Sequence, residues 1–213
     1  MLCVGDGKTD DTRALQGAIV AAAGQNKILF LDQGDYKVTS TIYVPGSSRI
    51  VGESYSVILA SGGYFANISN PQAVFRVGNP GENGRVELSD MIFSTQGALA
   101  GAVLVEYNLA SPSGSPSGLW DVHARIGGFA GSNLQLAQCP TTPNVVVTPA
   151  LVNTNCIAAY LTLHITKTAT GLYMENNWLW VADHDVEDAN LTQITIYAGR
   201  GLLVESQAGA LWL

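Results

Sequence analysis

Short apolar runs separated by turn-forming residues dominate this chain. The runs are four to nine residues long, lie between Gly, Asn, Pro and Ser, and include KILFLD, YKVTSTIYV, SVILA, AVLVEYN, AYLTLHITK and QITIYAG. β-Branched and aromatic residues bounded by turn formers are typical of β-strands. The pattern therefore predicts an all-β chain, organised as a single domain over residues 1–213.

One segment near the N-terminus has a helical period instead. Its apolar side chains recur at helical spacing, at Ala14, Leu15, Ala18, Ile19 and Ala22. Asp10 or Asp11 supplies an acidic N-cap, and Gly24 ends the pattern. We therefore predict one α-helix over about residues 10–24.

The spacing of the strands favours a parallel β-helix over a sandwich. Hairpin signals are scarce, and Asn83-Gly84 is the one good candidate. In a β-helix, each coil of roughly 20 to 25 residues contributes two or three short strands, and the turns carry Gly and Asn. An open solenoid end needs a cap, which the predicted N-terminal helix provides. The predicted fold is thus a single-stranded parallel β-helix with an N-terminal capping α-helix.

Charge and hydropathy exclude two classes of partner. The net charge is −7 and the ten basic residues are scattered, which argues against nucleic acid because phosphate binding needs clustered Lys and Arg. The chain has no run of about 18 apolar residues, so the sequence predicts no membrane-spanning helix. The opening residues MLCVGDGKTDD lack the basic start and apolar core of a signal peptide.

Other features are typical of extracellular proteins. Asn67 and Asn190 begin Asn-X-Ser/Thr triplets, which are glycosylation sequons. Cys139 and Cys156 bracket a Pro- and Thr-rich stretch, so we predict a disulfide that staples the loop 139–156; the alternative is two buried free thiols. Cys3 remains unpaired in this scheme. No Cys or Cys/His spacing predicts a structural metal site.

Residues 180–188, WVADHDVED, place one tryptophan and four carboxylates in nine residues. Three interpretations compete: a metal site, a sugar site and a solvated turn. Asp183, Asp185 and Glu187 have the i, i+2, i+4 spacing of calcium ligands, but Asp188 occupies the position that should be Gly. For a sugar site, an indole ring and carboxylates suit pyranose faces and hydroxyls.

The geometry of a strand adds a condition to the sugar interpretation. In a regular strand, Trp180 and His184 would share one face while Asp183 and Asp185 would point to the other. A turn or bulge after Trp180 is needed to bring the ring and the carboxylates together. The polar triplet Asp-His-Asp favours such a turn.

Several longer motifs resemble known families. The opening of the chain resembles the first segment of the pectate-lyase superfamily of right-handed β-helices, through VGDGKTDDTRALQGAI, FLDQGDYKVTSTIYVP and IVGE. The later motifs are similar to the second β-helix of glycoside hydrolase family 55: GLWDVHARIGG, AYLTLHIT, LYMENNWLWVADHDVED and YAGRGLLVES. That family comprises secreted exo-β-1,3-glucanases, or laminarinases. The resemblance implies an extracellular, inverting hydrolase of β-1,3-glucan that needs no cofactor.

The resemblance also implies a set of site residues. Trp180, Asp183 and Asp185 correspond to cleft residues near the terminal glucose, and we add His184 and His123 as substrate-binding candidates. Among the carboxyls present, Asp183, Asp185 and Glu205 are the catalytic candidates. Inverting hydrolysis needs two carboxyls in defined positions, and no general acid is assigned here.

The match to the family ends before its catalytic glutamates. The family continues from ESxGPxWL, whereas this chain reads ESQAGALWL, with Ala210 at the proline position and Leu213 last. We therefore expect a partial β-helix domain whose catalytic glutamates lie beyond Leu213. A first β-helix, which forms the other wall of the cleft, is the expected partner.

Two other functions are compatible with the sequence. One is a carbohydrate-binding β-helix without catalysis, which would retain Trp180 and the neighbouring carboxylates. The other is a calcium-dependent polysaccharide lyase, in which Arg200 of the GRG motif would abstract the proton.

Overall fold

The computed structural model describes residues 3–206 and 211–212. Among these residues there is one α-helix, α1 (Thr12–Gly24), and there are three short 3-10 turns, at Gly63–Phe65, Pro149–Leu151 and Thr154–Cys156. The strands are β1 Asp6–Asp10, β2 Ile28–Leu31, β3 Gly34–Val38, β4 Ile42–Val44, β5 Arg49–Ala60, β6 Gln72–Val77, β7 Glu87–Thr95, β8 Ala102–Tyr107, β9 Ser117–Ile126, β10 Ile157–Ile165, β11 Leu172–Glu175, β12 Leu179–Val181, β13 Tyr197–Val204 and β14 Leu211–Trp212. Ala210 and Leu213, which marked the end of the family match, lie outside the described residues.

The strands stack into two parallel sheets. The first sheet has the order β1-β3-β5-β7-β9-β11-β14, with β2 paired to β5 and β12 paired to β9. The second sheet has the order β4-β6-β8-β10-β13. Neighbours in each sheet come from successive turns of the chain, so the backbone winds as a coil. The predicted right-handed parallel β-helix of the pectate-lyase type is confirmed.

A sharp bend divides the first sheet into two faces. Ser54, Asp90, Asp121 and Asn176 occupy the bend in successive coils, with φ values of 62°, 56°, 51° and 54°. Asn and Asp tolerate this left-handed conformation better than most side chains. The side-chain amide of Asn176 also donates a hydrogen bond to Asp121 Oδ1, which links two coils at the bend. Short polar side chains thus allow the strands to change direction.

Helix α1 covers the N-terminal end of the coil. Leu15 and Ile19 are buried against the core. The Gln16 side chain bonds both to the amide and to the carbonyl of Tyr43 on the edge strand β4, at 2.7 and 2.8 Å. The helix begins at Thr12. Asp10 accepts the Thr12 amide, whereas the Asp11 carboxylate accepts the amides of Val4 and Gly5.

Two insertions interrupt the coils on the C-terminal side. Insertion A comprises residues 127–156 between β9 and β10, and insertion B comprises residues 182–196 between β12 and β13. Cys139 and Cys156 form a disulfide in insertion A, which confirms the prediction and excludes two free thiols. The Thr195 amide donates to the carbonyl of Cys139 at 2.9 Å, so the two insertions fold together.

Cys3 is a free thiol. The sequon residues Asn67 and Asn190 are both exposed, so their glycosylation remains a prediction. Within residues 3–206, no helix is long and apolar enough to cross a membrane.

Candidate functional site

The tryptophans around β12 form an exposed aromatic surface. Trp178 and Trp180 are two residues apart in an extended segment, so their side chains project from the same face. Their rings stack with centroids 5.3 Å apart and planes 14° apart. The Trp180 ring also meets the His184 ring at 5.5 Å. We call these three side chains the aromatic platform.

A turn after β12 brings His184 back to Trp180, as the sugar interpretation required. The chain leaves the sheet at Ala182, whose amide donates to the carbonyl of Ile126 at 3.0 Å. Insertion A packs closely beneath this turn at Gly128, which has a φ of 75°. A Cβ atom at Gly128 would lie 2.6 Å from the His184 carbonyl oxygen. Glycine is therefore needed there for the two insertions to approach each other.

Asp183 lies at the edge of the aromatic platform. Its side chain is 75% exposed, and its Oδ1 atom is 2.8 Å from Nδ1 of His184. Because a carboxylate only accepts hydrogen bonds, Nδ1 of His184 carries the proton in this pair. This arrangement leaves Nε2 of His184 and Oδ2 of Asp183 available to a ligand.

Asp185 occupies a different environment and has a structural role. The residue is 4% exposed. Its oxygens accept hydrogen bonds from the amides of Leu136 (2.9 Å) and Glu187 (3.0 Å) and from Nε2 of Gln135 (3.2 Å). Burial acts to raise the pKa of Asp185, but these donors outweigh it and hold the pKa below its ordinary value. Its oxygens join the two insertions, and a role of Asp185 in substrate binding stays a prediction.

His123 also supports the platform from behind. Its Nδ1 atom accepts the backbone amide of Trp178 at 3.1 Å, so Nδ1 carries no proton. This bond holds the extended segment that displays Trp178. The structure thus gives His123 a positioning contact through Nδ1, and a role of His123 in substrate binding stays a prediction.

A second aromatic pair lies across the bend from the platform. Trp120 and Tyr173 have ring centroids 6.2 Å apart. The Tyr173 hydroxyl donates to Glu175 Oε2 at 2.9 Å, a bond that raises the pKa of Tyr173. Glu175 is in register with Trp120 on the neighbouring strand. This pair was not predicted from the sequence, although the aromatic residues in GLWDV and LYMENNWLWV were a usable signal.

The remaining catalytic candidate lies on the other sheet. Glu205 follows β13, and its Oε2 atom is 2.7 Å from Nε2 of His164. In the same outward row, Arg76 and Glu106 form an ion pair at 2.8 Å. Glu205 therefore belongs to a ladder of charged side chains on the second sheet, whereas Asp183 follows a strand of the first sheet.

The metal interpretation of WVADHDVED receives no support from the geometry. Within the part of the chain that the structure describes, no group of three or more His, Cys, Asp or Glu side chains is placed to hold a metal ion. The oxygens of Asp185 are already occupied by the amides of the insertions. Arg200, the candidate lyase base, lies on β13 of the second sheet.

Comparison with known proteins agrees with the coiled fold. Residues 3–95 match the family model described as rhamnogalacturonase A/epimerase, pectate lyase-like. This match covers less than half of the chain, so the N-terminal coils are similar to the pectate lyase-like β-helix proteins. The match covers the helix α1 and the coils that follow it, which are the segments whose motifs carried the superfamily resemblance.

Three curated relatives match the chain over nearly its whole length. They are a glucan 1,3-beta-glucosidase of Cochliobolus carbonum (52% identical), a probable glucan endo-1,3-beta-glucosidase of Arthroderma benhamiae (48%) and the non-secreted LysM effector LysM15 of Penicillium expansum (42%). Each alignment covers 98% of this chain, but only 25%, 23% and 14% of the respective relative. The chain thus spans a quarter or less of the length of these relatives. The resemblance to the glucanase family is confirmed by the first two.

Proposed function

We propose that this chain forms one wall of a β-1,3-glucan site in an exo-acting, inverting glucanase. The observation that carries the proposal is the aromatic platform with Asp183 at its edge. The names of two relatives support glucan as the substrate, since they describe a glucan 1,3-beta-glucosidase and a probable glucan endo-1,3-beta-glucosidase.

The platform suits a pyranose ring in two ways. The apolar face of a sugar packs on an indole, and the stack of Trp178 on Trp180 fixes the orientation of that indole. Sugar hydroxyls can then donate to Oδ2 of Asp183 and pair with Nε2 of His184. Because Asp183 bonds to His184 and the His184 ring meets the Trp180 ring, one sugar unit can use these contacts together.

The residues that the structure describes are better suited to binding a sugar than to acid catalysis. Inverting hydrolysis needs two carboxyls roughly 6.5 to 9.5 Å apart, one of them protonated. A carboxyl remains protonated near neutral pH when burial or a like charge raises its pKa. Asp183 is exposed and has an imidazole partner, so it suits a role in binding or in guiding water. By resemblance, we expect a first β-helix to form the opposite wall, and we assign no general acid among the described residues.

A carbohydrate-binding β-helix without catalysis is the second candidate. One relative, 42% identical to this chain, is named as an effector and not as a hydrolase. The aromatic platform would serve this function equally well, because stacking and hydroxyl contacts require no acid. For either function we propose an extracellular location, which the buried disulfide favours.

Incubation of the purified chain with laminarin, together with calorimetric titration of laminari-oligosaccharides, tests both candidates. Glucose released as the α-anomer by the wild type, and lost in Asp183→Asn, would support the glucanase with catalysis in this chain. Binding without turnover would support the binding wall. Absence of binding would overturn both, and a calcium-dependent product that absorbs in the ultraviolet would favour a lyase.

A further inference from the structure

A second pocket opens on the outer surface of the first sheet, toward the N-terminal coils. Its volume is about 260 Å³, and its polar and aromatic lining comprises Asp6, Gln33, Asp35, Tyr55, Arg125 and Phe129. These residues come from β1, β3, β5, β9 and the segments beside them, so they are distant in sequence. None was identified from the sequence as a site residue.

Insertion A builds one wall of this pocket. Phe129 packs on Val57 and Leu59, which point outward from the coil and would otherwise be exposed. The insertion is tied to the sheet by the Gly97 amide, which donates to the Ser132 carbonyl at 2.7 Å. Phe129 thus has a defined position and closes one side of the pocket.

Two opposite charges face each other in the pocket without forming an ion pair. The Arg125 guanidinium lies over the Phe129 ring, 4.4 Å from its centroid. Within residues 3–206, neither Asp35 nor Arg125 takes part in a side-chain ion pair. Burial raises the pKa of Asp35 and lowers the pKa of Arg125, which indicates that both groups are partly removed from water. The pocket therefore contains unused donors and acceptors.

This combination selects a neutral ligand that both donates and accepts hydrogen bonds. Arg125 offers up to five donors and Asp35 about four acceptor positions, which adjacent sugar hydroxyls can satisfy together. An anionic ligand would meet Asp6 and Asp35, whereas a cationic ligand would meet Arg125. The Tyr55 ring is 67% exposed and offers an apolar face at the rim. The volume lies just below the range of about 300–1,000 Å³ that accommodates drug-sized ligands, which suits a single sugar unit.

The pocket and the aromatic platform lie along one surface. Arg125 is in register with Trp180 on the adjacent strand. The path from Asp35 to Trp180 crosses β3, β5, β7, β9 and β12, and four steps of about 4.8 Å give roughly 19 Å. A single oligosaccharide lying across the strands could therefore reach both.

We propose that the pocket formed by Asp35, Tyr55, Arg125 and Phe129 is a second sugar-binding subsite, which holds a glucosyl unit of the same glucan chain that contacts Trp180. This inference rests on the proposed glucan function. It adds a subsite whose contribution depends on the length of the oligosaccharide, because a short ligand on the platform cannot span the distance.

Calorimetric titration with laminaribiose and laminarihexaose tests the subsite. We expect wild type to bind the hexaose about tenfold more tightly than the biose. Arg125→Gln and Asp35→Asn should abolish that gain and leave biose affinity unchanged. Arg200→Gln and Asp32→Asn are matched controls that should behave as wild type, since Arg200 lies on the second sheet and Asp32 is exposed outside the pocket.

The outcomes separate this inference from the proposed function. Tight hexaose binding by Arg125→Gln and Asp35→Asn, equal to wild type, would overturn the subsite and leave the platform intact. No binding of either oligosaccharide by wild type would overturn the proposed function and the subsite with it. Because Arg125 packs on Phe129 and its loss could disturb insertion A, Tyr55→Ala gives an independent test: its ring is exposed, and hexaose affinity should fall several-fold.

Discussion

Asp183 and Asp185 are separated by one residue, yet their carboxylates lie in opposite environments. The Asp183 side chain is 75% exposed beside His184, whereas Asp185 is 4% exposed and accepts two backbone amides from the insertions. Residues two apart in a strand would share a face, so the turn after β12 is what separates them. One aspartate is thereby available for a ligand and the other for structure.

Asp185→Asn should lower the free energy of unfolding by about 1–3 kcal/mol, because a buried group that accepts several hydrogen bonds loses acceptor capacity. Asp183→Asn should change the free energy of unfolding by no more than about 0.5 kcal/mol, as is usual for exposed positions. Urea unfolding of both variants measures the difference. Equal losses in the two variants would contradict the structural role of Asp185.

Acid should destabilise the chain partly through Asp185. Its pKa in the folded protein lies below its ordinary value, so its contribution to stability is present above the unfolded pKa and is lost as the pH falls through the folded pKa. In thermal melts between pH 6 and pH 3, the melting temperature should therefore fall more steeply for wild type than for Asp185→Asn. Parallel curves for the two proteins would contradict this assignment.

Loss of the platform indole should weaken sugar binding without unfolding the protein. We expect Trp180→Ala to reduce the affinity for laminaribiose about tenfold, which corresponds to about 1.4 kcal/mol. Trp178→Ala should also weaken binding, since its ring is exposed and stacks on the ring of Trp180. Tyr160→Ala is the control, because Tyr160 is an exposed aromatic on β10 of the second sheet. Titration calorimetry measures all three, and an equal loss in Tyr160→Ala would argue against the platform.

Alkaline pH should destabilise the N-terminal coils through Tyr43. Burial, together with the hydrogen bond from its hydroxyl to Glu82, raises the pKa of Tyr43 to about 12. The folded state thus favours the neutral phenol, and this stabilisation is present below pH 10 and lost as the pH rises toward 12. Tyr43→Phe should be less stable than wild type at pH 8. Between pH 10 and pH 12 its free energy of unfolding should depend less on pH than that of wild type. Denaturant unfolding at a series of pH values measures both effects.

Removal of the disulfide should destabilise insertion A and the structure that packs on it. Cys139 and Cys156 close a loop with a sequence separation of 17. A cross-link over about 15 residues stabilises a protein by about 3 kcal/mol in the chain-entropy account. We expect the double variant Cys139→Ala/Cys156→Ala, and wild type in reductant, to melt at a similarly lowered temperature. A variant that melts like oxidised wild type would contradict the prediction.

Some of the site could be predicted from the sequence because its signals are local. Trp180, Asp183 and His184 lie within five consecutive positions, and one turn is enough to assemble them. The disulfide could also be predicted from the sequence, since two cysteines bracket a segment that lacks the pattern of a strand. The role of Asp185 was not, because its donors at residues 135–136 come from the other insertion and their approach depends on Gly128.

The amino-acid sequence by itself determined the strands, the capping helix and the parallel coil. These features follow from the local alternation of apolar and turn-forming residues, which repeats in each coil. The scarcity of hairpin signals adds the parallel arrangement of the strands. Only the tertiary structure decided which outward side chains meet. Asp35 and Arg125 are far apart in the chain and share a pocket because stacked coils bring their strands within a few strand spacings and Phe129 folds across them. That proximity depends on the lengths of the coils and on the packing of an insertion, and no local pattern encodes either.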